Sequence, residues 1–338
     1  MSLSKSDLIK LAKTVANANP SSQVAYSFGE EKFSYSDLNE TLRKELRELS
    51  KDYRENKNLI FSLLEQTIDD VLPKRVMEAY GQFAEIKTIP QGDKAIFTQK
   101  ITSASRRRAK QFITRVGLAG VYEVFKLDGK SFEIPTTAIG GAAQIGFEEF
   151  LDGRITFADV LDIVMEGLDE RVYKEIANAL VGAVTNLQEA NKTSQTSFVE
   201  TEMDKLISVA EAYGNPTIYC TREFAATMVP ATGWVSDDMR NQKWNNGYLA
   251  NYKGCRVIVL PQSFEDETNT TKVIDPSYAW IIPTGGNDKP VKVVFEGATH
   301  TREVENADWS RDIHVYKKLG VGAIITNNIC VYQNTSLE

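Results

Sequence analysis

The clearest regular pattern of hydrophobic and polar positions lies between residues 156 and 187. Apolar residues recur there every three or four positions without an intervening proline, and this spacing predicts one amphipathic helix. The apolar positions are Phe157, Leu161, Val164, Leu168, Val172, Ile176, Leu180, Val184 and Leu187. The polar positions expected on the opposite, solvated face are Asp162, Glu166, Asp169, Glu170, Lys174 and Asn178. Thr156 can cap this helix, which would span roughly 45 Å and form the spine of a domain.

The N-terminal segment, residues 1–57, has the helical pattern of an arm. It carries a narrow apolar stripe between charged side chains, and such a stripe must dock on another surface. The stripe consists of Leu38, Leu42, Leu46, Leu49 and Tyr53. A second helical pattern begins at residue 58. We expect it to end at Pro73, because proline cannot donate the backbone hydrogen bond of a helix.

Residues 91–135 change to the alternating pattern of β-strands. Strands are predicted at 94–101 and 111–116, and two more runs flank Asp128-Gly129, a strong hairpin-turn signal. The segment is therefore predicted to be a long extended hairpin. Two-stranded ribbons are marginally stable alone, and this one has few large apolar residues. We expect it to lie against other surfaces or against another subunit.

The segment 136–153 is rich in glycine and leads into the predicted spine helix. Its glycines do not match the spacing of a nucleotide-binding loop, so we expect them to allow close backbone packing.

A mixed α/β region follows the spine helix. Its predicted elements are a helix at 197–213, a strand at 216–220, a short helix capped by Thr221, and strands at 255–261, 279–284 and 291–297. The last β-rich residues, 312–332, are predicted to form a hairpin that turns at Gly320-Val321-Gly322.

Composition narrows the class of protein. Of 338 residues, 42% are hydrophobic and 25% charged, as in ordinary folded proteins. No apolar run approaches the ~18–20 residues of a membrane helix, and the N-terminus lacks a secretory signal, so we expect an intracellular protein without a membrane partner. The formal net charge of −7 disfavours general nucleic-acid binding. Three widely spaced cysteines without a CxxC motif argue against a disulfide framework and a zinc site.

The sequence contains no catalytic, cofactor or metal motif that we recognise. The residues considered for such chemistry are His300, His314, Glu148, Glu149, Asp237, Asp238, Cys220 and Cys255. Both histidines stand alone, and a lone histidine is usually structural. The acidic pairs are adjacent in sequence, so their side chains point in different directions. A cysteine nucleophile stays an alternative, because catalytic triads assemble in space. We expect no catalytic residue, no cofactor and no metal.

One basic cluster stands out at Arg106, Arg107, Arg108 and Lys110. A nucleic-acid surface would need interleaved aromatic residues and a wider basic field. The cluster is either a solvated loop tip or a contact with acidic groups of a neighbouring subunit, since arginine suits interface ion pairs.

A helical arm, a long hairpin, a glycine-rich strand, a spine helix, an α/β unit and terminal strands follow one another in this chain. Three segments carry this order most clearly: 140–176 (GGAAQIGFEEFLDGRITFADVLDIVMEGLDERVYKEI), 248–264 (YLANYKGCRVIVLPQSF) and 309–332 (WSRDIHVYKKLGVGAIITNNICVY). Over about residues 58–338 the chain resembles a tailed-bacteriophage major capsid protein of the Hong Kong 97 fold.

The resemblance implies an α+β fold with a spine helix, a P-domain β-sheet, an extended E-loop hairpin and a mixed α/β A-domain. The implied parts are an N-terminal arm at 1–57, a peripheral P-domain at 58–90, 136–195 and 305–338, an E-loop at 91–135 and an axial A-domain at 196–304. It also implies a non-enzymatic protein that self-assembles through pentamers and hexamers into an icosahedral head, which encloses double-stranded DNA without sequence-specific binding. Portal and scaffolding proteins would be further partners. The protein would be assembled in the bacterial cytoplasm and found in the virion.

Some relatives crosslink E-loop lysines to asparagines of the adjacent P-domain, and some lose an N-terminal scaffold segment. The residue types for crosslinking are present at Lys94, Lys100, Lys110, Lys126, Lys130, Asn327, Asn328 and Asn334. Because these residue types are common, we predict no crosslinking. We also expect an uncleaved arm and a separate scaffolding protein.

Three alternatives stay open at this stage. An encapsulin-like nanocompartment shell would share the fold and hold cargo enzymes. A soluble α/β hydrolase would have to use the cysteines or histidines. A DNA-binding module would depend on Arg106, Arg107 and Arg108, with an affinity that falls steeply with salt.

Overall fold

The helical and alternating patterns form helices and strands in the computed structural model, which describes residues 4–17, 26–28, 31–99, 130–145, 157–229, 236–266, 268–284, 289–305, 311–324 and 328–337. The helices are α1 (Lys5–Asn17), α2 (Tyr35–Lys51), α3 (Tyr53–Tyr80), α4 (Phe157–Val184), α5 (Glu200–Glu211), α6 (Arg222–Thr227) and α7 (Asp237–Asn246), with short 3₁₀ turns at Glu189–Asn191 and Thr335–Leu337. The strands are β1 (Tyr26–Phe28), β2 (Glu31–Phe33), β3 (Ala84–Ile89), β4 (Ile96–Gln99), β5 (Lys130–Glu133), β6 (Thr137–Ile145), β7 (Lys192–Gln195), β8 (Asn215–Cys220), β9 (Asn251–Tyr252), β10 (Cys255–Val259), β11 (Tyr278–Thr284), β12 (Val291–Glu305), β13 (Arg311–Ala323) and β14 (Cys330–Asn334).

The predicted spine helix is confirmed as α4. Leu168, Val172, Ile176 and Leu180 are each at most 5% exposed and form one buried stripe along it. The 28 residues of α4 span about 42 Å at the usual helical rise. No helix in the described part of the chain is both long and apolar enough to span a bilayer.

One residue of the predicted solvated face of α4 is buried. Asp169 is only 7% exposed, and its Oδ2 accepts a hydrogen bond of 2.9 Å from the guanidinium of Arg75 on α3. Burial raises the pKa of Asp169, and the ion pair with Arg75 partly offsets that rise. The prediction was wrong for Asp169, because α3 packs across this side of α4 and supplies a cation.

Helix α3 continues past Pro73, contrary to the prediction that it ends there. Proline inside a helix costs about 3 kcal/mol. The next turns bury Val76 and Tyr80, which are 0% and 2% exposed. Burying a side chain such as Val76 stabilises a fold by about 1.5–3 kcal/mol, and the Tyr80 ring adds contacts with Phe83 and Tyr173, so together they offset the cost of the proline.

The N-terminal stripe docks on its own chain. Leu38, Leu42 and Leu46 on α2 are each at most 4% exposed. They belong to the main hydrophobic cluster, which also contains buried residues of α3, α4, β12 and β13. Helix α2 begins with a capping box, in which Ser34 Oγ accepts from the Asp37 N–H at 3.3 Å and Asp37 Oδ2 accepts from the Ser34 N–H at 3.2 Å.

Two larger sheets organise the described residues. A four-stranded sheet has the order β3-β12-β13-β6, with β3 parallel to β12 and the other pairs antiparallel. A six-stranded sheet has the order β7-β14-β11-β8-β10-β9. Successive side chains of β8 point to opposite faces of this sheet. Ile218 packs with α5 and α6 in a second hydrophobic cluster, and Tyr219 packs in the main cluster. The Tyr219 ring meets Phe83 edge-on with centroids 4.6 Å apart, which joins the second sheet to the end of α3.

The predicted terminal hairpin is wrong. Strand β13 runs straight through Gly320 and Gly322, and β14 pairs in the other sheet. A Cβ atom on Gly320 would lie 2.7 Å from the Pro135 carbonyl oxygen. These glycines therefore let β13 pass closely beneath residues 134–136, and they do not form a turn.

The glycine-rich segment behaves as predicted at Gly140. It lies on β6, where a Cβ atom would come within 2.3 Å of the Val315 carbonyl oxygen on β13. Close packing of β6 on β13 thus requires glycine at this position. By contrast, a Cβ atom on the adjacent Gly141 would meet no atom within 4 Å.

The α/β unit is confirmed in outline. Helix α5 ends near the predicted Gly214, and Thr221 caps α6 by accepting from the Phe224 N–H at 3.4 Å. For the predicted long hairpin, β4 and β5 pair antiparallel at its base. The strand predicted at 111–116 and the Asp128-Gly129 turn lie outside the described residues.

Candidate functional site

The base of the predicted hairpin has its own small core. Ala95, Phe97, Ile134 and Val294 form a buried cluster between the β4–β5 ribbon and β12. The face of the Phe97 ring also lies near two cations, with Lys87 Nζ 4.1 Å from the centroid and Lys292 Nζ 5.6 Å from it.

A single carboxylate ties both ends of the hairpin to the sheet. Glu296 on β12 accepts hydrogen bonds from the Gly92 N–H at 2.9 Å, from Lys318 Nζ at 2.8 Å and from the Thr136 hydroxyl. Gly92 precedes β4 and Thr136 follows β5. The hydrogen bonds from Lys318, Thr136 and Gly92 lower the pKa of Glu296 to about 2. Glu296 thus stays ionised and fixes the direction in which the ribbon leaves the sheet.

Beyond Glu296, the outer part of β12 is fastened to α3. The pairing of β12 with β13 shifts between Glu296 and His300, and Gly297 in this bulge has φ +67°. Asp69 on α3 then accepts from the Thr299 N–H at 2.9 Å and from its hydroxyl at 2.6 Å, and it pairs with the ammonium of Lys317.

Residues nearer the start of α3 make further contacts with β12. Glu65 accepts from the N–H and the hydroxyl of Thr301 at 2.8 and 2.6 Å. Lys57 pairs with Glu303. Helix α3 therefore holds the outer part of β12 and β13 through side chains spaced one or two turns apart.

Among the described residues, the candidate nucleophiles and bases lie on different sheets, with Cys220 and Cys255 on the six-stranded sheet and His300 and His314 on the four-stranded sheet. Burial raises the pKa of Cys220 and of Cys330 to about 12, and both thiols are poor nucleophiles. His300 stacks on Tyr316 with centroids 5.1 Å apart, and His314 is exposed on β13. Within the described ranges, no group of three or more His, Cys, Asp or Glu side chains is placed to hold a metal ion.

Several large apolar side chains are exposed on the described surface, among them Ile163 and Met77, and Trp244 is the most exposed of them. Trp244 on α7 is 89% exposed, and α7 has no buried residue. A cleft of about 880 Å³ lies elsewhere on the six-stranded sheet, between residues 214–217 and 253–256.

The predicted site residues Arg106, Arg107, Arg108 and Lys110 lie outside the described residues, so their assignment stays a prediction. Glu148 and Glu149 lie outside them too. Asp237 and Asp238 are exposed in the first turn of α7.

Sequence reasoning missed both α7 and the role of Glu296. Ser236, which caps α7, and Gly247, its left-handed C-cap, are local signals that could have predicted the helix. Glu296 has no such signal, because its partners come from three distant segments.

These features can be compared with known proteins. A family model described as "SPbeta prophage-derived putative capsid protein YonB" matches residues 7–333. This chain belongs to that family. It is a capsid protein of a phage or prophage, and the resemblance to tailed-phage major capsid proteins is confirmed, as is the α+β class.

Solved structures agree with this capsid protein in fold. The head structure of Helicobacter pylori bacteriophage KHP40 superposes with a TM-score of 0.50 at 13% identity, covering 77% of this chain and 91% of that one. The structure of Microbacterium phage Oxtober96 gives 0.50 at 9% identity, covering 76% and 90%. The capsid of a native GTA particle gives 0.50 at 11% identity, covering 76% and 89%. Among curated proteins, no sequence matches this capsid protein.

Proposed function

We propose that this capsid protein assembles through pentamers and hexamers into an icosahedral head that encloses double-stranded DNA. The observation that carries the proposal is the family match over residues 7–333. That match also favours a phage or prophage head over an encapsulin-like shell or a soluble hydrolase. Portal and scaffolding proteins are the further partners we propose, with assembly in the host cytoplasm.

The described geometry suits a subunit of a shell. Hydrogen bonds fix the outer part of β12 to α3 and fix the base of the ribbon to Glu296, and residues 100–129 connect the two strands of the ribbon. A ribbon with a small core of its own gains stability by lying on a neighbouring subunit. Contacts of that kind are head-to-tail, and they close into rings when the rotation between subunits permits.

Charge and chemistry are consistent with a passive container. The net charge of −7 disfavours tight binding to packaged DNA, which would otherwise depend on phosphate neutralisation. The buried cysteines and the stacked His300 offer no activated nucleophile. We therefore propose that the protein has no catalytic activity.

For the domains, we propose the boundaries given by the resemblance, with two strands reassigned by their sheets. Strand β12 pairs with β3 and β13, so we place it with the peripheral P-domain. Strand β14 pairs with β11 and β7, so we place it with the axial A-domain.

We keep the proposal that mature particles are not crosslinked. Asn334 is only 1% exposed, and its Oδ1 accepts hydrogen bonds from Ser336. A ladder of covalent multimers on a denaturing gel of mature particles would contradict this.

Electron microscopy of the purified protein, alone and with the candidate scaffold, tests the proposed function. We expect closed shells or five- and six-membered rings. Particles from an induced prophage should contain nuclease-protected DNA. Shells that carry host enzymes without DNA would favour the nanocompartment, and a monomer under all these conditions would refute the proposal.

A further inference from the structure

Helix α7 presents a side-chain arrangement typical of an interface. Its Trp244 is 89% exposed and none of its residues is buried, so the helix contributes little to the core of its own subunit. Arg240 lies four residues before Trp244 and therefore on the same helical face. Tryptophan and arginine are the residue types most enriched at binding hot spots.

The cleft on the six-stranded sheet has matching chemistry. Its volume of about 880 Å³ is within the range of pockets that bind drug-sized molecules, so one indole ring fits easily. Glu211 and Arg256 line it and are both exposed. A guanidinium can stack on an indole face, and a carboxylate can pair with an incoming arginine.

The two surfaces lie at opposite ends of the sheet. The cleft lies at Asn215, where β8 begins, and β8 ends at Cys220, just before α6. Gly247, at the end of α7, lies next to the side chain of Arg222, the first residue of α6. A Cβ atom on Gly247 would be 3.0 Å from the Arg222 guanidinium. Six strand residues span about 20 Å, and this length of β8 separates α6 and the end of α7 from the cleft of the same subunit.

We propose that the α7 face formed by Arg240 and Trp244 docks into the cleft of a second copy of this chain. The indole would lie on Arg256, and Arg240 would pair with Glu211. The α7 face and the cleft are different surfaces and lie at opposite ends of the sheet. The contact between two copies is therefore head-to-tail, and repeated contacts of this kind can close a ring. Arg240 can leave its present partner Asp237 at little cost, since that pair is exposed and 3.4 Å apart. This inference rests on the proposed function and names one contact within the capsid ring.

A charge exchange tests the contact in the full-length protein. Arg240→Glu and Glu211→Arg should each raise the protein concentration needed for ring or shell formation, and the double variant should restore assembly, as coupled residues do. Lys243→Glu is the comparison variant: it makes the same charge change on the same helix, about 60° from Arg240 and 100° from Trp244, so it should raise the assembly concentration clearly less than Arg240→Glu does. Equal effects of the Arg240 and Lys243 variants, or no rescue in the double variant, would overturn the proposal.

Trp244→Ala should raise the protein concentration needed for ring or shell formation by roughly 30-fold, the effect expected for removing an aromatic hot spot. Its far-UV circular dichroism should be unchanged, because the side chain is exposed. Normal shells from Trp244→Ala would refute the contact and leave the capsid function intact. Failure of the wild-type protein to assemble with scaffold would instead refute the proposed function, and this contact with it.

A mixing experiment tests the head-to-tail geometry. The Trp244→Ala variant loses the α7 face and keeps the cleft. The Asn215→Trp variant keeps the α7 face and loses the cleft, because the new indole fills it. A mixture should form heterodimers by native mass spectrometry, each held by one intact contact, and no closed rings. Closed rings from the mixture, or no dimers at all, would refute this geometry.

Discussion

The attachment of α3 to the outer part of β12 and β13 makes a sharp prediction about stability. Lys317 is 1% exposed and pairs with Asp69, which is 30% exposed. Asp69→Ala would leave a buried cation unpaired and remove the acceptor of the Thr299 N–H and hydroxyl. Breaking a buried ion pair costs about 3–5 kcal/mol. Because water reaches Asp69, we expect the lower end, a loss of about 3 kcal/mol in the free energy of unfolding.

The neighbouring residue provides a matched control. Asp70 pairs with Lys74 one turn along the surface of α3, where the two side chains are 31% and 53% exposed. Such pairs contribute little, so Asp70→Ala should cost at most about 0.5 kcal/mol. Replacing the unpaired Lys317 should recover part of the lost stability. The double variant Asp69→Ala with Lys317→Met should have a free energy of unfolding at least about 1 kcal/mol higher than Asp69→Ala alone.

Guanidinium unfolding of the unassembled subunit, with equal slopes for all variants, measures these differences. The reasoning would be refuted if Asp69→Ala and Asp70→Ala cost the same. It would also be refuted if the double variant were less stable than Asp69→Ala.

Three further predictions concern the packing, the ribbon anchor and the cysteines. Gly140→Ala should lower the stability by at least about 1–3 kcal/mol, because a Cβ atom has no room there, and Gly141→Ala should be nearly neutral; matched thermal melts would contradict this if the two variants behaved alike. Because the folded pKa of Glu296, about 2, lies below its ordinary value of 4.5, its contribution to stability is present above pH 4.5 and is lost as the pH falls towards 2. The protection factors for hydrogen exchange at the ribbon base, which are corrected for the intrinsic effect of pH on exchange, should therefore fall in that window, and Glu296→Gln should remove this fall. The thiols of Cys220 and Cys330 are buried with raised pKa values, so Ellman's reagent should label them only after urea unfolding; rapid reaction of either residue in the native protein, distinguished from the cleft residue Cys255 by substituting Cys255 with serine, would show that its thiol is exposed.

Patterns within one element were sufficient to predict much of the fold. The repeat of apolar residues predicted the spine helix α4 and the stripe of α2, because burial on one face imposes a helical period. The cap at Thr221 and the strand before it were also predicted, because their signals lie within a few residues. The order of such segments carried the capsid resemblance that the family match confirmed.

The errors arose where a residue's environment depends on a distant segment. Pro73 stays inside α3 because Val76 and Tyr80 find a core to enter. Asp169 is buried because α3 brings Arg75 to it. Gly320 looked like a turn residue, and only the close passage of residues 134–136 shows why glycine is needed there.

The amino-acid sequence by itself therefore determined which faces are apolar, where α4 and α6 begin and which class of protein this is. The tertiary structure decided which charged groups are buried and which glycines are contacts, because these depend on partners far away in the chain. Glu296 and Gly92 are separated by 204 positions, and Asp69 and Thr299 by 230. No local pattern records such pairs, since they exist only once two elements have packed together.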